Sequence, residues 1–178
     1  MSISLRGSRT KRVCINALMI ALAMMLSYLE FLLPLQALIP LPGFRLGLAN
    51  LVVTLVFCLI SPVDAALVSG SRILLMGLLF GSATSLYFSA MGGLFSFLTL
   101  LLLSHVGKRC SLLGVSVLCA AAHNCGQITA AVTLFSTDLI LSYLPLLLLA
   151  SVVYGGIVGC LLNLAMPRIQ GLIRRTRA

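Results

Sequence analysis

The sequence predicts an all-α integral-membrane bundle of six spanning helices with both termini cytoplasmic. Three observations carry this. Of the 178 residues 61% are hydrophobic and only 8% charged, against about a quarter charged in a soluble domain. Apolar runs of roughly the 20 residues that a bilayer requires follow one another along the chain. Ten of the twelve basic residues fall in three places: Arg6, Arg9, Lys11 and Arg12 at the start, Lys108 and Arg109 in one loop, and Arg168, Arg174, Arg175 and Arg177 at the end. Basic residues gather on the cytoplasmic side of membrane proteins, which puts both ends and that loop inside. Six spans and their short connections use nearly the whole chain, so residues 1–178 are expected to form a single membrane domain, with basic tails at 1–12 and 167–178.

The first span is residues 13–33, too long for the apolar core of a signal peptide. Ala17 and Ala21 lie four apart on it, a spacing that lets a second helix approach closely. Glu30, near its outer end, is either solvated at the interface or part of a pocket. Pro34, Pro40, Pro42 and Gly43 make residues 34–45 a loop, ended by Arg45 on the outer side. The second span, 46–60, is short and carries Asn50 near its outer end. Asp64 follows Pro62 in the first turn of the third span, 63–80, where a carboxylate complements the helix dipole. Gly70, Gly77 and Gly81 mark close packing on that span. The fourth span, about 84–104, contains Gly92 and Gly93, read as tight contact or a kink. The fifth runs over 112–135 and the sixth over about 139–166, with Pro145 inside it.

Polar residues in these runs define the candidate site. His123, Asn124 and Gln127 interrupt the fifth span near its middle, where lipid offers no hydrogen bonds. His123 and Gln127 are i, i+4 and share a helix face. Arg72 is alone in the third span, at a cost of about 3 kcal/mol on insertion scales, so it should face protein or water. Arg72, His123, Asn124, Gln127 and Asn50 are the expected ligand-binding set, with Arg45 and Glu30 as gate residues. The alternative is that His123 and the amides join helices, at about 1 kcal/mol per bond.

Several classes are excluded. The net charge of +9 is explained by membrane topology, so no nucleic-acid partner is expected. The six cysteines form no C-x-x-C pair and read as packing residues, without metal or disulfide. Glu30, Asp64 and Asp138 are too far apart to hold magnesium together, and there is no phosphate-binding glycine loop. No cofactor is expected.

These stretches also carry a resemblance. Residues 17–30 (Ala-Leu-Met-Ile-Ala-Leu-Ala … Ser-Tyr-Leu-Glu), 42–50 (Pro-Gly-Phe-Arg-Leu-Gly-Leu-Ala-Asn), 71–81 (Ser-Arg-Ile-Leu-Leu-Met-Gly-Leu-Leu-Phe-Gly) and 123–127 (His-Asn-Cys-Gly-Gln) resemble the Gx transporter family, also labelled heptaprenyl diphosphate synthase component I. The likeness runs from about residue 13 to 165. The family is similar to the S components of energy-coupling factor transporters. That implies a six-helix fold in the bacterial cytoplasmic membrane, a vitamin-like small-molecule ligand, and a transmembrane coupling protein with two ATPases as partners. It makes Ala17 and Ala21 the partner-docking contact. Riboflavin or a flavin nucleotide is the leading ligand, with Tyr28, Phe44 and Tyr87 to stack on it in a chain without Trp. A second reading is a membrane accessory component of heptaprenyl or polyprenyl diphosphate synthesis, binding a lipid diphosphate through the same Arg residues. A third is a membrane scaffold.

Overall fold

The computed structural model describes residues 9–32, 47–106, 111–136 and 138–175. Their elements are α1 (Arg9–Leu32), α2 (Asn50–Leu59), α3 (Pro62–Phe80), α4 (Ala83–Val106), α5 (Leu112–Phe135), a 3-10 helix (Asp138–Tyr143) and α6 (Leu144–Arg175). All but α2 and the 3-10 segment are long and apolar enough to cross a membrane. The protein is therefore an all-α, multi-pass membrane bundle with five long apolar helices, consistent with the inner or plasma membrane. Its outward faces carry exposed leucines such as Leu18, Leu78, Leu102 and Leu149, as lipid contact requires.

The second span is where sequence and structure part. Residues 47–49 are turn, and α2 has only ten residues. At 1.5 Å per residue it is about 15 Å long, half the hydrocarbon thickness. Its residues are nonetheless the most buried in the bundle: Val52, Val53, Thr54, Leu55, Val56 and Leu59 are all interior. The cause is position, since α2 is surrounded by α1, α3, α4 and α6.

Two contacts fix the direction of α1 and α3. At their starts, Arg12 Nη2 lies 2.6 Å from Asp64 Oδ2, and Asn16 Nδ2 donates to Asp64 Oδ1 at 2.6 Å. At their ends, the Tyr28 and Phe80 rings are 4.9 Å apart. The two helices run the same way. Position alone makes Asp64 a partner for the helix dipole. The structure buries it and commits its carboxylate to Arg12 and Asn16, while Ser61 caps α3 by accepting from the Asp64 N–H at 3.3 Å.

Helices α4, α5 and α6 meet through glycine. A Cβ on Gly126 of α5 would stand 2.5 Å from the Met91 carbonyl oxygen of α4. One on Gly155 of α6 would stand 2.5 Å from Val117 Cα of α5, and one on Gly159 would stand 2.7 Å from Leu113 Cα. Gly92 and Gly93 mark contact rather than a break, because α4 is continuous through both. Gly77 packs on Leu86, but Gly70 has nothing within 4 Å and is not a packing glycine. Pro145 does not interrupt the last helix. It is the second residue of α6, where a missing N–H costs nothing, and the proline inside that helix is Pro167.

The glycine contacts make a paired prediction. Gly155→Ala drives a methyl into backbone and should cost about 1–3 kcal/mol. Gly156→Ala, with open space around it, should cost nothing. Denaturant titration of both variants in detergent checks the difference.

Candidate functional site

The interior polar cluster is assembled from four helices and the turn before α2. On α1 the buried stripe is Ala23, Ser27 and Glu30, spaced i, i+4, i+7. Ser27 Oγ accepts from Arg72 Nη1 of α3 at 3.1 Å. Glu30 Oε1 accepts from the backbone N–H of Gly47. Gly47 has φ +81°, in the left-handed region that favours glycine, and a Cβ there would meet Asn50 Nδ2 at 2.9 Å and His123 Cδ2 at 3.3 Å. Three residues later Asn50 places its Nδ2 3.3 Å from His123 Nδ1.

His123 of α5 is the hub. Its Nε2 lies 3.2 Å from Gln127 Nε2, so carboxamides stand at both ring nitrogens. A neutral imidazole donates at one nitrogen and accepts at the other. The nearer amide atom is nitrogen in both contacts, and the ring can accept from only one of them. The imidazole lies against Gly92 of α4, where a Cβ would come within 2.7 Å of His123 Cε1. Asn124 points to α6 instead, donating from Nδ2 to the Leu147 carbonyl at 2.9 Å and to Ser151 Oγ at 2.8 Å. Asn124 Oδ1 and Gln127 Oε1 are buried acceptors with no hydrogen-bond partner among the described residues. Buried acceptors of this kind are matched by water or by a ligand donor.

The structure thus brings Arg72, Glu30, Asn50, His123 and Gln127 to one interior region, with Asn124 one residue along on the α6 side. Arg72, Glu30, Asn124, His123 and Gln127 are each at most 4% exposed. Glu30 is not solvated at the interface but buried. Arg45 and Phe44 lie outside the described residues. Tyr28 and Tyr87 face outward, away from this cluster. Ala17 and Ala21 are exposed on the outer face of α1. The sequence reading missed Ser27 and Ser151, and marked Gly92 as a contact without its partner His123. The i+4 step from Ala23 to Ser27 was a usable signal, but nothing local told which partner each would meet.

A second feature lies at the end of the bundle where α1 and α3 begin. An apolar cavity of about 180 Å³ opens between α1, α2 and α6. It is lined by Ile15 and Met19, by Leu55, Leu59 and Ile60, and by Ile169. Arg9, Lys11 and Arg168 are exposed at this end, and Arg12 is half-exposed. Among the described residues no three of His, Cys, Asp or Glu form a metal-holding group. The described cysteines are free thiols, of which Cys14 and Cys160 are exposed.

Fold and polar interior together define a helical membrane protein with a buried hydrogen-bonded core and a basic end. A family model described as heptaprenyl diphosphate synthase component I matches residues 19–165, and the chain belongs to that family. No curated protein and no solved structure shows significant similarity to it. This match confirms the synthase-component side of the resemblance. It corrects the reading built on the S-component side: a transporter subunit for riboflavin or a flavin nucleotide, with a coupling protein and ATPases as partners and no enzymatic role. The family is described by its part in a synthase, and neither transport nor flavin enters that description.

The clamp on His123 is measurable. A double-mutant cycle with His123→Ala and Asn50→Ala, on α5 and α2, should give a coupling of about 0.6–1.7 kcal/mol, the range for hydrogen bonds between membrane helices. Additive losses would show that the two side chains do not interact.

Proposed function

We propose that this chain is the membrane component of a heptaprenyl diphosphate synthase, holding a polyprenyl diphosphate at the bilayer while a second component supplies the magnesium-binding carboxylates. The family description supports an enzyme of more than one component. The carboxylate inventory is the observation that carries the division of labour. Prenyl diphosphate chemistry needs several carboxylates around magnesium. Here Asp64 is taken up by Arg12 and Asn16, and Glu30 lies toward the other end of the bundle on Gly47. These residues do not fit a magnesium–diphosphate centre, and no step through one is assigned to this chain.

The charge distribution supports a place for the diphosphate. Arg9, Lys11, Arg12 and Arg168 share one end, beside water and a soluble partner. The interior cluster is a poorer match to it. Its charged side chains are one guanidinium and one carboxylate, and the spare atoms of Asn124 and Gln127 are acceptors, whereas phosphate oxygens need donors. We assign Arg72, Glu30, Asn50, His123, Asn124 and Gln127 the role of a polar clasp that holds the helices in register, with its spare acceptors hydrated.

The proposed topology is six crossings as a single membrane domain, with both termini cytoplasmic. Its support is that the starts of α1 and α3 and the Ile169 region of α6 meet at one end, so the segment containing α2 returns the chain across the bundle.

The test is reconstitution with a soluble prenyl synthase subunit. Heptaprenyl diphosphate should form in membranes holding both proteins and not with either alone. Arg9→Glu combined with Arg168→Glu should lower product at least about tenfold through lost surface attraction. Arg72→Lys should lower it only as far as folded protein falls. Full product formation by the soluble subunit without this chain would sink the reading.

A further inference from the structure

We propose that the cavity between α1, α2 and α6 seats the isoprenoid chain of a polyprenyl diphosphate, with the diphosphate on the basic residues at its mouth. This rests on the synthase-component reading and gives it a binding site.

The cavity exists because α2 is short. Helices α1 and α6 each pack on α2, which ends at Leu59, and the chain turns at Ser61 into α3. Between the two long helices a slot remains, floored by the last turns of α2. Every lining side chain is apolar, and its volume is about 180 Å³. An apolar cavity of roughly 150 Å³ takes a benzene ring, so this one holds about one isoprene unit and the start of the next. The remaining units of a long prenyl chain run on into the hydrocarbon, past exposed Leu18 and Leu22 of α1.

Charge complementarity selects the head group. Arg12 reaches Ser61 Oγ at 3.4 Å, the residue after lining Ile60, and Arg168 immediately precedes lining Ile169. Arg12 commits Nε and Nη2 to Asp64 and Ser61. Arg168, with Arg9 and Lys11 of the first turn of α1, supplies the outward-facing cations. A neutral prenyl alcohol brings one uncharged hydroxyl oxygen to them, while a diphosphate presents several anionic acceptors.

The experiment uses the full chain in phosphatidylcholine nanodiscs, without any partner, and a benzophenone-bearing farnesyl diphosphate analogue as photoprobe. Cross-links should map to peptides carrying residues 15–19, 55–60 and 169. Unlabelled farnesyl diphosphate should compete for them and farnesol should compete far less. Ile15→Trp and Ile169→Phe fill the slot from two helices, at positions only partly buried, and each should weaken labelling about tenfold. Cross-links spread over outward leucines such as Leu78 and Leu102, or labelling indifferent to both filled variants, would overturn the proposal. So would a photoreactive phosphatidylglycerol that occupies the slot and is not displaced by farnesyl diphosphate. Because no synthesis is measured, the two readings fail separately. Correct labelling without synthase activity upholds the slot and removes the synthase role. Synthase activity with labelling elsewhere removes the slot.

Discussion

A polar side chain inside a bilayer has only the protein, or trapped water, to bond to, and this constraint shapes the interior here. His123 meets it by being held at both ring nitrogens, by Asn50 from one element and Gln127 from its own helix. Arg72 meets it partly through Ser27, and Asn124 through the Leu147 carbonyl and Ser151. All but the Gln127 bond reach a different helix. The polar residues that look like liabilities in the sequence are the ones that specify which helices stand side by side, because apolar helices in lipid have little else to distinguish their partners.

Close approach is the other half of that arrangement. The imidazole lies against α4 only because residue 92 has no side chain, and α4 and α5 touch backbone to backbone at Gly126. Further along, Gly155 and Gly159 bring α6 onto α5 in the same way. A side chain at these positions would move the helices apart and lengthen the bonds that His123 and Asn124 make. Packing and hydrogen bonding here are one constraint, not two.

At the other end the balance is different. Arg12, Asn16, Ser61 and Asp64 join the starts of α1 and α3 with a charge-assisted network that is half in water. Beside it the truncated α2 leaves apolar surface between α1 and α6. A polar latch, exposed cations and an apolar slot are thereby brought together at one bundle end. That is the chemistry an amphiphile with an anionic head and an apolar tail would recognise.

The spans were legible because hydropathy and length are local properties: residues 63–80, 84–104 and 112–135 of the reading lie on α3, α4 and α5 with little change. The anomalies were legible too, since an Arg or a His in an apolar run stands out against its neighbours. Bounds were less so. The reading stretched α2 back to residue 46, because a run of apolar residues does not reveal a turn that depends on Gly47 at positive φ. It ended the last span at residue 166, where the basic tail begins, although α6 continues through Pro167 to Arg175. It described Asp64 by its own helix and could not name Arg12, 52 residues away. The amino-acid sequence by itself determined that this chain lives in a membrane, which segments are apolar enough to cross it and which side chains must find partners, since these follow from transfer energies of single residues. The tertiary structure alone decided which partner each found, that Gly92 admits the imidazole, and that a slot opens beneath a short helix, because those depend on the distance between backbones that no local pattern encodes.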